Sequence, residues 1–390
     1  MFKVKTFNKI SDVIRDYLTS EDYSLSSEFD EFDAAVVRSA PLHDVVLPER
    51  LLAIARAGAG VNNIPVDECA KRGIVVFNTP GANANAVKEL VLCGMLLSGR
   101  KVVQGMEWLL TEGSKSDNVE AFVEKTKARF AGPELAGRKL GVIGLGAIGV
   151  MVANAARQGF GMEVSGFDPY MSVESAWHLD RKIHKAVSLD ELLRESDYIS
   201  LHLPLGEKTK NMFNEQLIGK MKQGAVLLNF ARGGLVDNAA VLNALAGGKL
   251  ALYITDFPCA ELISKEGVLC TPHLGASTPE SEENCAMMAA SELASYLRDG
   301  NILNSVNFPD CELPRAENCC RLAIINENVT NMLGQISAVL AADSHNIDHM
   351  INKSRGQWAY TLIDLACRPS EECLDKIKGI KGIVRVRIVE

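Results

Sequence analysis

One ten-residue stretch, Leu140–Gly149 (LGVIGLGAIG), constrains this chain more than any other. An apolar run, Leu140, Val142 and Ile143, leads straight into Gly144, Gly146 and Gly149, and helical apolar spacing follows from Ile148 to Ala156. A buried strand turning sharply into a helix is the setting in which G-x-G-x-x-G binds a dinucleotide. Gly144 permits the tight turn, Gly146 lets a pyrophosphate reach the backbone of Ala147 and Ile148, and Gly149 allows close packing of helix on strand. The helix start offers N–H groups and the positive end of its dipole to the phosphates. A second strand, Glu163–Phe167, delivers Asp168 about 20 residues on, where a carboxylate bonds ribose hydroxyls and repels a 2′-phosphate. The expected cofactor is therefore NAD rather than NADP.

Residues 1 to about 96 carry an alternation of their own. Strands are expected at Lys3–Phe7, Ala34–Val37, Leu52–Arg56 and Ile74–Phe77. Helices are expected at Ile10–Leu18 and at Pro65–Arg72, where proline sits at a tolerated start. Such alternation predicts a parallel sheet covered by helices, with ligand loops at its carboxyl edge around Arg38, Gly58–Asn63 and Thr79–Asn85. Beyond the glycine turn, strands are expected at Tyr198–Leu203, Ala225–Asn229, Leu250–Thr255 and Gly267–Cys270, with a long helix at Pro279–Leu297. Asn304–Pro314 has little periodicity and holds two prolines, so it reads as a linker. From Cys319 the order becomes strand, helix, strand, strand, helix, strand: Leu322–Asn326, Met332–Asp343, Ile347–Lys353, Ala359–Leu365, Glu371–Lys378 and Ile383–Val389. That order predicts a ferredoxin-like βαββαβ module. The fold class expected is α/β: a Rossmann-type NAD domain (97–277) inserted in a flavodoxin-like substrate domain (1–96 and 278–310), a linker (311–318), and the ferredoxin-like module (319–390).

Composition excludes several classes. Hydrophobic residues make up 47% and charged residues 23% of the chain, the balance of an ordinary globular protein. A net charge of −8 speaks against a nucleic-acid partner, which calls for a basic face. No apolar run approaches the roughly 20 residues of a membrane helix, and the start MFKVKTFNKI lacks the apolar core of a signal peptide. A cytoplasmic protein with no membrane partner is expected. The 10 cysteines form no C-x-x-C pair and show no metal-ligand spacing, so reduced thiols and no metal are expected.

Chemistry is expected where the later strands end. Arg232 lies in NFARGGLVD (Asn229–Asp237), directly after a strand and among small residues that let a ligand approach. A guanidinium there can hold a carboxylate in a bidentate grip. His273, in TPHLGAST (Thr271–Thr278), also follows a strand, and an imidazole exchanges protons near neutral pH. Glu261 stands between them, where a carboxylate could bond the far ring nitrogen and fix the tautomer.

Four separated segments then share an order. They are Gly58–Glu89 (GAGVNNIPVDECAKRGIVVFNTPGANANAVKE), GLGAIG with Asp168, NFARGGLVD and TPHLGAST. Together they resemble the D-isomer-specific 2-hydroxyacid dehydrogenases over residues 1 to about 310. The resemblance implies a catalytic set of Arg232, Glu261 and His273, with Arg232 orienting the substrate carboxylate and His273 exchanging the hydroxyl proton. Asp256, five residues before Glu261, is placed by it near the nicotinamide. Further cofactor contacts implied are His202, Leu203, Pro204, Ala231 and Gly275. Substrate contacts implied are Arg38, Ser39, Asn62 and Asn83 beside Arg232 and His273, with Arg38 as a phosphate ligand.

Three departures from the family pattern are visible. TDFPCAEL lacks the proline that usually follows the glutamate, the interval from Glu261 to His273 is only 12 residues, and Val61 is followed by Asn62 and Asn63 where an aspartate is common. The activity implied is NAD-dependent oxidation of a phosphorylated 2-hydroxy acid, 3-phosphoglycerate, to 3-phosphohydroxypyruvate, as the opening step of L-serine biosynthesis. Alternatives are a glyoxylate or hydroxypyruvate reductase of the same family and a non-enzymatic NAD-sensing corepressor. Residues 319–390 resemble the ACT domain, which implies a possible L-serine effector site at Asn326, Asn328 and Asn346, and a homo-oligomer, dimer or tetramer.

Overall fold

The computed structural model describes residues 1–316 and 319–389. Positions 317 and 318 of the expected linker, and residue 390, lie outside the described residues. The chain divides into two compact units, Met1–Asn83 with Pro279–Glu390, and Ala84–Thr278.

In the first unit, β1 (Phe2–Phe7), β2 (Tyr23–Ser26), β3 (Ala34–Val37), β4 (Ala53–Arg56) and β5 (Val75–Phe77) form a parallel sheet in the order β2-β1-β3-β4-β5. This is the flavodoxin-like order. Every residue of β3 and β5 is buried, as parallel strands covered on both faces must be. The long helix Pro279–Asp299 buries Cys285, Ala286, Ala289, Ala290 and Leu293, a stripe of mostly small side chains at helical spacing. Two expectations are corrected. Ile10–Leu18 is only a 3₁₀ turn at Asp12–Asp16, in which Ile14 alone is fully buried, while Ile10, Val13 and Leu18 reach the core from irregular or partly exposed positions. The edge strand β2 was not expected, since its half-buried YSLS carries little hydrophobic signal.

The same unit contains β13 (Cys320–Glu327), β14 (Ile347–Arg355), β15 (Trp358–Leu365) and β16 (Ile383–Val389), antiparallel in the order β14-β15-β13-β16. With helices Met332–Ala342 and Glu371–Lys378 this is a ferredoxin-like βαββαβ module. Strand periodicity divides its side chains between two cores. Leu322, Ile324, Ile363 and Leu365 face the module's own helices, whereas Ala323, Ile325, Tyr360 and Leu362 join the core of the flavodoxin-like sheet and the long helix. The expected linker is corrected accordingly. Phe308 and Cys311 are fully buried, and Ile302 and Cys311 pair as an isolated bridge. The segment lacks periodicity because it is pinned residue by residue rather than lying as one face of an element.

The second unit has seven parallel strands: β6 (Lys139–Ile143), β7 (Glu163–Phe167), β8 (His184–Lys185), β9 (Tyr198–Leu201), β10 (Ala225–Asn229), β11 (Leu250–Thr255) and β12 (Val268–Cys270). Their order, β12-β11-β10-β9-β6-β7-β8, reverses direction between β6 and β9. Open α/β sheets bind ligands at such a switch point. The first boundary between units falls at Asn83/Ala84 rather than at 96/97. Helix Ala84–Gly99 buries Val87, Val91 and Met95 in the same core as Val150 and Ala153, so it belongs with the glycine-motif sheet.

Candidate active site

The glycine turn leaves β6 at its carboxyl end. Gly144 has φ +90°, and a Cβ there would collide with the His202 carbonyl; a Cβ on Gly149 would collide with the carbonyl of Gly144. Both positions therefore exclude any larger residue. A Cβ on Gly146 would meet nothing, and helix Ala147–Gly159 has no side-chain cap at its start. Exposed Gly146 and Ala147, with Ile148 half-buried, thus present uncapped helix amides to an anion. Asp168 ends β7 half-buried, its Oδ2 accepting from Leu145 N at 2.8 Å and its Oδ1 from Tyr170 N at 2.8 Å. Those bonds orient the carboxylate and leave lone pairs for hydroxyl donors. The residues present fit an NAD dinucleotide.

Across the switch point, His202 follows β9, and its Nε2 lies 2.9 Å from Ser200 Oγ. Among the described residues its buried Nδ1 has no hydrogen-bond partner, and burial pushes its pKa down to about 4. The ring is neutral at physiological pH. Half-buried Leu203 and exposed Pro204 continue the same loop.

Arg232 sits in the turn after β10. Buried Asn229 organises that turn, its Nδ2 donating to Arg232 O at 2.9 Å and its Oδ1 accepting from Ala231 N at 3.2 Å. This Asn is a residue the sequence reading passed over. Its signal was an Asx side chain ending a strand just before a turn. The guanidinium is exposed, with Nη1 donating back to Ala231 O at 2.7 Å.

His273 is held by a second buried polar residue. Asp256 is 1% exposed; its Oδ1 accepts from Thr271 Oγ1 at 2.6 Å and Leu274 N at 2.7 Å, and its Oδ2 from Gly275 N at 2.7 Å. Expected beside the nicotinamide, Asp256 has both oxygens engaged by the loop on either side of His273. That loop carries His273 at φ +58°, an uncommon conformation for a residue with a side chain and one that needs such support. The exposed imidazole stands edge-on to Phe257, with ring centroids 5.0 Å apart.

Glu261 departs from expectation. Its Oε2 accepts from Asn238 Nδ2 at 3.4 Å. It lines a pocket with Asn238, Cys259 and Phe257.

The first unit holds the remaining candidates. Arg38 ends β3, and its Nη2 donates to Glu282 Oε1 at 2.7 Å, with both side chains partly exposed. Asn8 Oδ1 accepts from the amides of Ser39 (3.2 Å) and Ala40 (2.6 Å), fixing the loop. Arg56, at the end of neighbouring β4, donates Nε to Arg38 O at 3.1 Å and was not foreseen. Its signal was the one used for Arg38, a basic residue closing a buried strand. Exposed Asn62 lends its carbonyl to His43 Nε2 at 3.0 Å, and half-buried Asn83 closes the turn before the next unit. In the C-terminal module, Asn326 is buried with Oδ1 unpartnered, while Asn328 and Asn346 are exposed.

Residues 93–275 match the model of the D-isomer specific 2-hydroxyacid dehydrogenase NAD binding domain. A D-3-phosphoglycerate dehydrogenase of Haemophilus influenzae is 34% identical over 352 residues, covering 87% of this chain and 82% of that protein. The chain belongs to the D-isomer specific 2-hydroxyacid dehydrogenases. The Escherichia coli K12 relative bearing the same name is 34% identical over 355 residues, with the same shares covered. Among solved structures, the NAD+-bound 3-phosphoglycerate dehydrogenase of Entamoeba histolytica matches with a TM-score of 0.60 and 26% identity, covering 78% of this chain and 98% of that one. As a family member the chain is an NAD-dependent dehydrogenase.

Proposed function

We propose that this dehydrogenase oxidises 3-phosphoglycerate at C2 to 3-phosphohydroxypyruvate, the entry to L-serine synthesis. The observation that carries the substrate choice is the pair of guanidinium side chains at adjacent strand ends, Arg38 and Arg56, joined by the Arg56 Nε–Arg38 O bond. Paired arginines suit a dianionic phosphate, and the relatives named above act on that substrate. Arg38 must exchange Glu282 for the phosphate, a swap between two exposed charge-assisted bonds.

NAD, held by the Gly144–Gly149 turn and Asp168, supplies the hydride acceptor when bound. His273 takes the C2 hydroxyl proton in oxidation and returns it in reduction. Arg232 grips the substrate carboxylate, and Asn229 and Asp256 keep the two loops in place. Glu261 Oε2 accepts from Asn238 Nδ2 in this arrangement.

We further propose a homo-oligomer. Helix Val102–Thr111 leaves Val102, Val103, Met106, Leu109 and Leu110 exposed on one face opposite buried Trp108, an apolar stripe that a second copy covers. The unpartnered Asn326 Oδ1, with Asn328 and Asn346, supports a small amino-acid effector such as L-serine in the C-terminal module. Among the described residues no helix is long and apolar enough to cross a membrane. The free thiols suit the reducing cytoplasm.

The test follows NADH consumption with 3-phosphohydroxypyruvate, hydroxypyruvate, glyoxylate and 2-oxoglutarate, with and without L-serine. A strong preference for the phosphorylated substrate that Arg38→Ala and Arg56→Ala each reduce ten-fold or more supports the reading. Equal use of hydroxypyruvate leaves a general 2-hydroxyacid dehydrogenase.

A further inference from the structure

A second cluster of proton-transfer groups lies in the C-terminal module, away from the dehydrogenase residues used above. Cys367 is exposed in the bend that follows β15, and its Sγ lies 3.5 Å from His345 Nδ1. The other ring nitrogen, Nε2, lies 3.1 Å from Asp343 Oδ2. Asp343 is in turn anchored by Ser370, whose amide donates to Oδ2 at 3.1 Å and whose hydroxyl lies 3.0 Å from Oδ1. These bonds, the amide first, hold the Asp343 carboxyl below the usual carboxylate range.

The ordering of these groups fixes a proton inventory. An ionised carboxylate at Nε2 keeps the proton on that nitrogen and leaves the Nδ1 lone pair facing the thiol. The His345 side chain is 7% exposed, so the pair is shielded on the ring side and open on the sulfur side. Its backbone is equally fixed, with His345 N donating to Leu340 O at 3.0 Å and Ser344 in the left-handed region at φ +62°. A nucleophile, a base and a third group that orients the base are the parts from which an activated thiol is built. A thiol that merely fills space is buried in apolar surroundings, as Cys69 is, where burial pushes its pKa up to about 12.

We propose that Cys367, His345 and Asp343 form an oxidant-reactive thiol site that takes a small hydroperoxide. The Cys367 proton passes to His345 Nδ1. The sulfur lone pair attacks the hydroxyl-bearing oxygen of the hydroperoxide, the O–O bond breaks, and the departing oxyanion collects the proton from His345 and leaves as the alcohol, or as water where the oxidant is hydrogen peroxide. Sulfur loses two electrons to become the sulfenic acid, and the peroxide gains them. Because Asp343 caps helix Met332–Ala342 and Ser370 caps helix Glu371–Lys378, the modified group lies where both helices of the module are tied together.

The test treats the reduced full-length chain with limiting hydrogen peroxide and dimedone, and follows the Cys367 peptide by mass spectrometry beside N-acetylcysteine in the same tube. The expected result is labelling of Cys367 at least ten-fold faster than N-acetylcysteine, falling to the small thiol's rate in His345→Asn and reduced in Asp343→Asn. Equal rates for wild-type Cys367 and N-acetylcysteine overturn the proposal, and that comparison needs no variant. Unchanged labelling in a His345→Asn chain that keeps its dehydrogenase activity overturns it as well.

Discussion

At the scale of single residues, the site separates side chains that meet substrate from those that hold them. His273→Asn should lower kcat by roughly a hundred-fold or more, the usual weight of a general base. Oxidation needs the neutral imidazole and reduction the protonated one, so kcat/KM in the two directions should run oppositely with pH; parallel profiles would remove His273 from proton transfer. Asp256→Asn should cost far more activity than Glu261→Gln, since Asp256 gathers three donors around His273 while Glu261 contacts Asn238. A Glu261→Gln enzyme as impaired as Asp256→Asn would show that Glu261 reaches the ring during turnover. Another residue sets a pH dependence of stability. Glu292, 6% exposed and, among the described residues, bonded only through Oε1 to Asn304, has its pKa raised by burial from 4.5 to about 8. Between those values the unfolded chain has released the proton and the folded chain keeps it, so stability falls as pH rises from about 4.5 to 8. The melting temperature of Glu292→Gln should therefore gain on wild type steadily from pH 5 to pH 8, and a constant difference would refute this.

At the scale of elements, legibility followed burial. β3 and β10 stand where the sequence places them, because a strand covered on both faces is a nearly uninterrupted apolar run between turn residues; β7 and β11 stand there too, each with an outward residue exposed. The helix expected at Ile10–Leu18 and the missed strand β2 lie at the edge, where half-buried residues carry both patterns weakly. The glycine turn was legible because two of its three glycines, Gly144 and Gly149, meet a hard steric limit. Gly149→Val should abolish NADH binding measured by fluorescence titration, since its side chain would occupy the space of the Gly144 carbonyl. Retention of cofactor affinity would mean the turn can open.

At the scale of the whole molecule, the C-terminal module is bound into its unit by buried polar contacts as well as by its apolar face. Arg321 and Asp364 form a fully buried pair, with Arg321 Nε donating to Asp364 Oδ1 at 2.6 Å. The remaining Arg321 donors reach Asp299 O (3.0 Å), Leu313 O (2.8 Å) and Pro314 O (3.0 Å). Tyr360 and Arg387 similarly bond the carbonyls of Gly300 and Leu297 near the end of the long helix. Asp364→Ala leaves a buried guanidinium without its partner and should destabilise the unit by about 3–5 kcal/mol, read by denaturant unfolding. A loss below 1 kcal/mol would show that water enters the gap.

The sequence by itself determined the strands of the three sheets apart from the edge strands β2 and β8, the dinucleotide turn with Asp168, and the placing of Arg232 and His273 after strand ends. Those features are local: periodicity, glycine spacing and position relative to a strand are properties of neighbouring residues. Tertiary structure alone decided the partners of the charged side chains and the limits of the units. Arg38 pairs with Glu282, 244 positions away, Glu261 turns to Asn238, and helix Ala84–Gly99 joins the second unit. A carboxylate or guanidinium has many solvated alternatives of similar energy, so its choice is made by whichever surface packing brings within reach.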